Sequence, residues 1–307
     1  MRCLVTGGAG FIGSNLVDAL VARGDEVCVL DDLSTGHRDN LNADAELVEA
    51  DISDAAAVRR AVEGCEVVFH QAAHRAVLRS VEDPLATDTA NVHGSLTVLD
   101  AAHQAGVRRV VSASSSSVYG GADLRPTPES APLLPRSPYA VTKLTGEHYS
   151  RVFSELHGLE TVSLRYFNVY GPRQRPDSMY AAVIPLFIDA LRNGRPPTMH
   201  GDGRQSRDFT YIDDAVAANL AAASAPADAC SGKAFNIACG DEHSLLDLLG
   251  HLGEILGVDI APEHTDPRAG DVRHSCADVS SAARDLRWKA NVSFRDGLAR
   301  TVAALTS

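Results

Sequence analysis

Apolar runs of strand length alternate with helix-length amphipathic segments from the first residues of this chain. Residues 2–6, 26–30, 47–50, 66–70 and 109–112 are Val-rich and bounded by Gly, Asp or Ser, the pattern of buried strands. Between them, residues 13–23, 55–63 and 88–105 carry helical periodicity. Strands that are apolar throughout, joined by helices, predict a parallel sheet covered on both faces, a doubly wound α/β fold. Such a sheet takes its ligands at the carboxyl ends of the strands. The alternation continues through a helix at 138–157 and a strand at 160–167. From residue 172 the sequence becomes loop-rich, at 172–177, 194–197, 201–205 and 262–270, between shorter elements at 181–191, 213–223, 234–237 and 245–256. The change predicts one domain over 1–171 and a smaller C-terminal α/β domain over 172–307, with elements partly interleaved with the first.

Composition narrows the partners. The 307 residues are 45% hydrophobic and 22% charged, too apolar for disorder. A net charge of −12, from 28 basic and 40 acidic residues, argues against nucleic acid, so an anionic ligand needs local cationic or dipolar features. Apolar stretches are broken well before the ~18 residues of a membrane span, and the N-terminus enters a strand pattern without a secretory signal. We therefore expect a cytoplasmic, unanchored protein. Six cysteines, Cys3, Cys28, Cys65, Cys230, Cys239 and Cys276, lack CxxC spacing and predict packed, reduced thiols, with no metal site.

The first strand ends in Thr6-Gly7-Gly8-Ala9-Gly10-Phe11-Ile12-Gly13 and a helix follows at once. Gly7, Gly10 and Gly13 have the spacing for a tight turn, close approach of backbone to a diphosphate, and close helix packing on the strand. The helix N-terminus then faces the anion with free N–H groups. The second strand ends about 20 residues on in Asp31-Asp32, where a carboxylate binds an adenosine ribose and repels a 2′-phosphate. This context points to a Rossmann-like dinucleotide site that prefers NAD to NADP. Asp51, with Ile52, is placed either to border the adenine or to cap the following helix.

The second constellation is Tyr139-Ala140-Val141-Thr142-Lys143. Residues four apart share a helix face, so phenol and ammonium point into one site. Holding a Tyr half ionised near pH 7 needs a shift of about three units, roughly 4 kcal/mol, and a neighbouring cation is the available means. The strand before it runs into Ser114-Ser115-Ser116-Ser117-Val118-Tyr119-Gly120, which sets hydroxyls at the strand end where a nicotinamide lies. Turn chemistry explains most of the four serines.

These segments, with Asp31–Gly36, Ser137–Lys143, Arg165-Tyr166-Phe167-Asn168 and Gly201-Asp202-Gly203…Arg207-Asp208-Phe209, together resemble the NAD-dependent sugar-nucleotide epimerase/dehydratase family, the extended short-chain dehydrogenase/reductase group. The likeness spans essentially the whole chain and is nearest to the UDP-hexose 4-epimerases. It implies that residues 1–171 bind NAD and 172–307 a UDP-sugar. Gly7, Gly10, Phe11, Ile12 and Gly13 would hold the diphosphate, Asp31 the ribose with Asp32, Ser34, Thr35 and Gly36 around it, Asp51 and Ile52 the adenine, and Gln71, Ala72, Ala73, Asn91 and Tyr166 the cofactor path. Tyr139 would take the sugar 4-OH proton, with Ser115, beside Ser116, bonded to the same oxygen. Lys143 would bond the nicotinamide ribose and depress the Tyr139 pKa. The implied cycle passes hydride from C4 to tightly held NAD, turns the 4-ketose over and returns hydride to its other face.

The resemblance also bears on substrate. Dehydratases and UDP-glucuronate decarboxylases carry an acid inside the serine run, where an extra acid or base serves elimination; this chain has only serines there. Asn168, Arg207, Arg268 and Asp271 match UDP contacts, and arginine forks suit phosphate, although a surface ion pair is the other reading of Arg268. Ser275 stands where some members have a bulky Tyr, so N-acetylhexosamines would enter. Arg175 is either an exposed loop arginine or the partner of a uronate carboxylate, as in UDP-glucuronate 4-epimerases, whereas residues 180–185 look like the glucose and N-acetylglucosamine branch. The expected activity is therefore UDP-glucose/UDP-galactose 4-epimerisation, extending to UDP-GlcNAc/UDP-GalNAc, with UDP-glucuronate epimerase as the alternative. From another class, a non-catalytic NAD-binding regulator is disfavoured because Tyr139 and Lys143 are both present. Family members pair through helices matching 88–105 and 139–157, which implies a homodimer.

Overall fold

The computed structural model describes residues 1–121, 124–174, 182–267 and 272–306. Its centre is a seven-stranded sheet built from β1 (Arg2–Thr6), β2 (Glu26–Asp31), β3 (Glu46–Glu49), β4 (Val67–His70), β5 (Arg109–Ser115), β6 (Glu160–Tyr166) and a seventh strand, Lys233–Ile237. The order is Lys233–Ile237, β6, β5, β4, β1, β2, β3, and every neighbouring pair is parallel. The chain direction of winding reverses between β1 and β4, so a crevice opens at their carboxyl ends, the binding position of a Rossmann-like sheet.

Alternate residues of each strand feed two cores. Cys3, Val5, Val29, Phe69 and Val111 face Leu16 and Leu20 of helix α1 (Phe11–Ala22) and the Ala-rich helix Ile212–Ser224. Leu4, Leu30, Val68 and Val110 face Val58 and Val62 of helix α2 (Ala55–Val62) and Val98 and Leu99 of helix Gly94–Gln104. Burial on both faces is why the strands lack alternation. Each fully buried Leu or Val contributes roughly 1.5–3 kcal/mol, so both faces are needed to hold the sheet.

Local chemistry sets the helix starts. The α2 N-cap is Asp54, which accepts from the N–H groups of Ala56 (2.9 Å) and Ala57 (3.1 Å). Capping by Asp51 is thereby overturned, because α2 begins at Ala55 and Asp51 is a full turn too early; its carboxylate instead accepts from the Ser53 N–H at 2.7 Å. The helix expected at 88–105 starts earlier, with Pro84–Asp88, and passes through a widened π turn at Thr89–His93 before Gly94–Gln104.

Beyond β6 the chain builds small sheets. Ser206–Arg207 pairs with His243–Ser244 on one side and His274–Ser275 on the other, and Thr198–His200 pairs with Glu263–Thr265. Lys233–Ile237 returns to the main sheet beside β6. All six cysteines are free thiols, four of them buried, and among the described residues no helix is long and apolar enough to cross a membrane.

Candidate active site

The glycine loop lies at the mouth of the β1/β4 crevice. Gly7 donates its N–H to the Leu30 carbonyl at 2.8 Å and sits at φ +69°, where a Cβ would stand 2.7 Å from the Ala72 backbone. A Cβ on Gly13 would lie 2.1 Å from the Gly7 carbonyl oxygen, so α1 packs directly on the loop. Gly10 differs: a Cβ there would meet only that same oxygen, at 3.2 Å. The α1 N-terminus begins at this open side, with no side-chain cap and no acid in its first turn. Its N–H groups are available to an anion, so the loop fits a dinucleotide diphosphate. Phe11 and Ile12 pack their side chains against the core behind it.

Asp31 fastens β2 to this loop. Its buried carboxylate accepts from the Ala9 N–H (2.9 Å) and the Leu33 N–H (2.8 Å); burial pushes its pKa up, and those two bonds oppose the rise. Two bonds leave acceptor capacity on an ionised carboxylate. Asp32 is exposed and accepts from the Ser34 N–H (3.0 Å) and hydroxyl (2.7 Å). A Cβ on buried Gly36 would sit 2.9 Å from an Asp31 oxygen, and Thr35 beside it is exposed. Asp51 is exposed, while Ile52 is buried against Gly94.

Gln71 and Tyr166 belong to a closed ring of bonds with Asn219, which the sequence reading missed. Asn219 donates to the Tyr166 hydroxyl (2.7 Å), that hydroxyl donates to Gln71 (3.3 Å), and Gln71 donates back to Asn219 (3.0 Å). An asparagine amid the apolar run between Asp214 and Ser224 was the available signal. The ring occupies the Tyr166 phenol, which burial pushes up to about 12. Ala72, followed by half-buried Ala73, donates its N–H to the Thr6 hydroxyl at 3.3 Å. Asn91 braces the crevice from the π turn: it accepts from the His74 N–H (2.7 Å) and donates to the His74 carbonyl and the Thr142 hydroxyl (3.0 Å each).

His70, at the end of β4, was also missed. It is buried between the Thr6 hydroxyl (2.7 Å at Nδ1) and the Ser95 hydroxyl (2.8 Å at Nε2). Ser95 donates its only proton to the Asn91 carbonyl, so Nε2 carries the imidazole proton and Nδ1 accepts from Thr6. Burial, with the nearby Lys143 cation, pushes this imidazole down to about 3.

Ser137 caps the helix Pro138–His157 by accepting from the Ala140 N–H at 3.2 Å, with Pro138 in its first turn. Tyr139 therefore sits in the first turn, its N–H held by the buried Ser80 hydroxyl at 3.1 Å. One turn on, Lys143 donates from Nζ to the Ala113 carbonyl of β5 at 2.9 Å, 6.0 Å from the centre of the Tyr139 ring. Ser115 ends β5 close enough to the Tyr139 phenol to lower its pKa, and accepts from the Ser117 N–H at 3.2 Å; Ser116 opens the short turn that follows.

The electrostatics correct one expectation. Burial pushes the Tyr139 phenol up, against the Ser115 hydroxyl and the Arg75 guanidinium. Desolvation outweighs the cation, and the cation acting on the phenol is Arg75, while Lys143 is aimed at Ala113. Lys143 itself is pushed down to about 8 by burial, with Glu147 opposing.

The second cluster lies on the small sheet. Asn168 donates to the Asp208 carbonyl at 3.0 Å, half-buried Arg207 donates to the Ser206 carbonyl at 2.8 Å, and Ser275 is in register with Arg207. Buried Asp208, next to Arg207, accepts from the N–H groups of Cys239 (2.8 Å), Gly240 (3.0 Å) and Ala277 (3.2 Å); burial pushes its pKa up to about 6. Arg175, Arg268 and Asp271 lie outside the described residues, as do Tyr180 and Ala181. Among the described residues, no group of three His, Cys, Asp or Glu is placed to hold a metal.

The model of the NAD dependent epimerase/dehydratase family matches residues 3–238, and the chain belongs to that family, with NAD as its cofactor. It is 43% identical over 309 residues to a UDP-glucose 4-epimerase of Mycolicibacterium smegmatis, across 98% of this chain and 97% of that protein. A crystal structure of UDP-glucose 4-epimerase from Thermotoga maritima with UDP-glucose superposes with a TM-score of 0.96 at 39% identity, covering 100% and 99% of the two chains. A UDP-N-acetylglucosamine 4-epimerase from Methanobrevibacter ruminantium, in complex with UDP-N-acetylmuramic acid, gives 0.95 at 38% identity, covering 99% and 98%.

Proposed function

We propose that this protein is a UDP-hexose 4-epimerase that interconverts UDP-glucose and UDP-galactose and also takes the N-acetylhexosamine pair. The observation that carries the reading is the buried Tyr139 phenol beside Ser115, one helical turn from Lys143, at the carboxyl end of the sheet that holds the glycine loop. The names of the relatives support the same reading.

The uncapped α1 N-terminus, with Gly7, Gly10 and Gly13, holds the dinucleotide diphosphate. Asp31 takes ribose hydroxyls on its remaining acceptor positions, and its charge disfavours a 2′-phosphate. NAD supplies, when bound, reversible hydride acceptance at sugar C4. Tyr139 takes the 4-OH proton and later returns it, and Ser115 steadies the same oxygen. Lys143 uses one of its three N–H donors on Ala113 and has two left for a ribose hydroxyl. The proton taken is the proton returned, so the cycle needs no further acid, and Ser114–Ser117 supply hydroxyls alone. Asn168, Arg207 and Ser275 face the UDP-sugar; the family resemblance assigns UDP contacts to Arg268 and Asp271 as well. Ser275 is small enough to leave room for an N-acetyl group. Exposed Val141 and Leu156 on helix Pro138–His157 support self-association through that helix.

Incubation with UDP-glucose, UDP-galactose, their N-acetyl counterparts and UDP-glucuronate, with products separated by chromatography, tests the reading. Conversion of the first four is expected. Turnover of UDP-glucuronate with none of UDP-galactose would overturn it and assign the carboxylate-binding role to Arg175.

A further inference from the structure

Behind Lys143 lies a narrow polar cavity, with about 20 Å³ open to the centre of a water molecule, room for about one. His70 from β4, Lys143 and Glu147 are its titratable lining groups, while β5, β6 and helix Gly94–Gln104 line it with uncharged side chains. Glu147 stands one turn after Lys143, on the face that also carries Tyr139. Its carboxylate accepts from Arg165 Nε (2.9 Å) and NH2 (2.7 Å) and from the Ser114 hydroxyl. The acid and the guanidinium are each under a tenth exposed, at 8% and 5%. Arg165 also donates to the Tyr119 hydroxyl (2.7 Å) and the Glu129 carbonyl (3.2 Å).

A buried ion pair is a poor source of stability, since well-packed apolar residues often do as well. This pair places an anion one helical turn from a buried lysine, and its Ser114 bond holds the strand residue next to Ala113, whose carbonyl receives Lys143. We propose that Glu147 is a positioning residue for the epimerase reaction: its carboxylate keeps the Lys143 ammonium charged and, through Ser114, keeps the Ala113 carbonyl in register with it. The inference rests on the proposed roles of Tyr139 and Lys143.

The charges facing Lys143 support the assignment. Burial pushes Lys143 down to about 8, and Glu147 is the group that opposes it. His70 is neutral above about pH 3 and adds no countercharge. Arg75 acts on the Tyr139 side, and Arg165 stands behind Glu147.

The two halves of the pair have opposite signs, so a test reads the alkaline limb of the kcat–pH profile in Glu147→Gln and Arg165→Met. Glu147→Gln is expected to move the limb down by about one pH unit, a roughly tenfold loss of kcat on its alkaline side, with KM for the UDP-sugar held within about twofold. Glu147→Asp, which keeps the charge, is expected to restore the limb. Arg165→Met is expected to move it up. A merely structural pair would give losses without displacement, or displacements of the same sign, and either overturns the proposal. Ser114→Ala removes one hydroxyl and leaves both charges, so it decides the matter where the charge variants do not fold: a several-fold loss of kcat at unchanged KM is expected, and wild-type kcat overturns the proposal. Wild-type protein that converts no UDP-sugar refutes the functional reading instead, whereas active wild type with unshifted variants refutes this inference alone.

Discussion

His70 makes the fold acid-sensitive through a single buried imidazole. In the native protein it stays neutral down to about pH 3, whereas in an unfolded chain it takes a proton near pH 6.5. Between these values the unfolded state binds more protons, so stability is complete above about pH 6.5 and falls as the pH drops toward 3. Linkage puts the loss at about 2 kcal/mol at pH 5 and about 3 kcal/mol at pH 4, for a native pKa of about 3. His70→Gln keeps a donor for Ser95 but forgoes the acceptor for Thr6, a cost of about 1 kcal/mol at neutral pH, and it does not titrate. The variant is therefore less stable than wild type at pH 7 and more stable below about pH 6. Urea unfolding at pH 7.5, 6, 5 and 4.5, followed by fluorescence of the single, buried Trp288, measures the difference. Carboxylates such as Asp208 titrate in both proteins and cancel. Stability curves that run parallel across this range would refute the buried neutral imidazole.

Three further outcomes follow from the site. Gly13→Ala drives a methyl to 2.1 Å from a main-chain oxygen that α1 and β1 hold in place, so a loss of at least ~3 kcal/mol and weaker dinucleotide binding are expected; a native melting temperature refutes that packing. Tyr139→Phe removes the proton acceptor and is expected to lower kcat at least ~10²-fold while UDP affinity by calorimetry stays near wild type, and an active Phe variant excludes Tyr139 as the base. Ser275→Tyr is expected to lower kcat/KM for the N-acetyl sugars at least tenfold more than for the hexoses, a differential of about 1.4 kcal/mol; equal losses show that Ser275 does not gate the sugar.

Much of the sheet was legible because burial on both faces leaves its mark locally, as unbroken Val-rich runs at β1, β2, β4 and β5. Pairing partners are set by distant residues: the run at 234–237 reads as a strand, but nothing within it specifies β6 as its neighbour. The glycine loop and Asp31 were legible because backbone conformation and close approach dictate residue type there. Direction was harder. Spacing puts Tyr139 and Lys143 on one face without showing that Lys143 is aimed at the Ala113 carbonyl or that the cation acting on the phenol is Arg75. Asp51 and Asp54 both precede α2, and the backbone turn at Asp54 decides the cap. His70 and Asn219 escaped notice because each is a polar residue in an element explained by its apolar neighbours, and Glu147 because its helix is rich in polar residues that face solvent. Their bonds reach Thr6, Gln71 and Arg165, far off in sequence.

The central claim is that hydride leaves and returns to C4 of the same sugar while Tyr139 lends and recovers a proton. Conversion of UDP-galactose deuterated at C4, by purified protein in ordinary water, tests it by mass spectrometry and NMR of the product. The account predicts UDP-glucose that retains the deuterium at C4, and UDP-glucose with protium at C4 would contradict it.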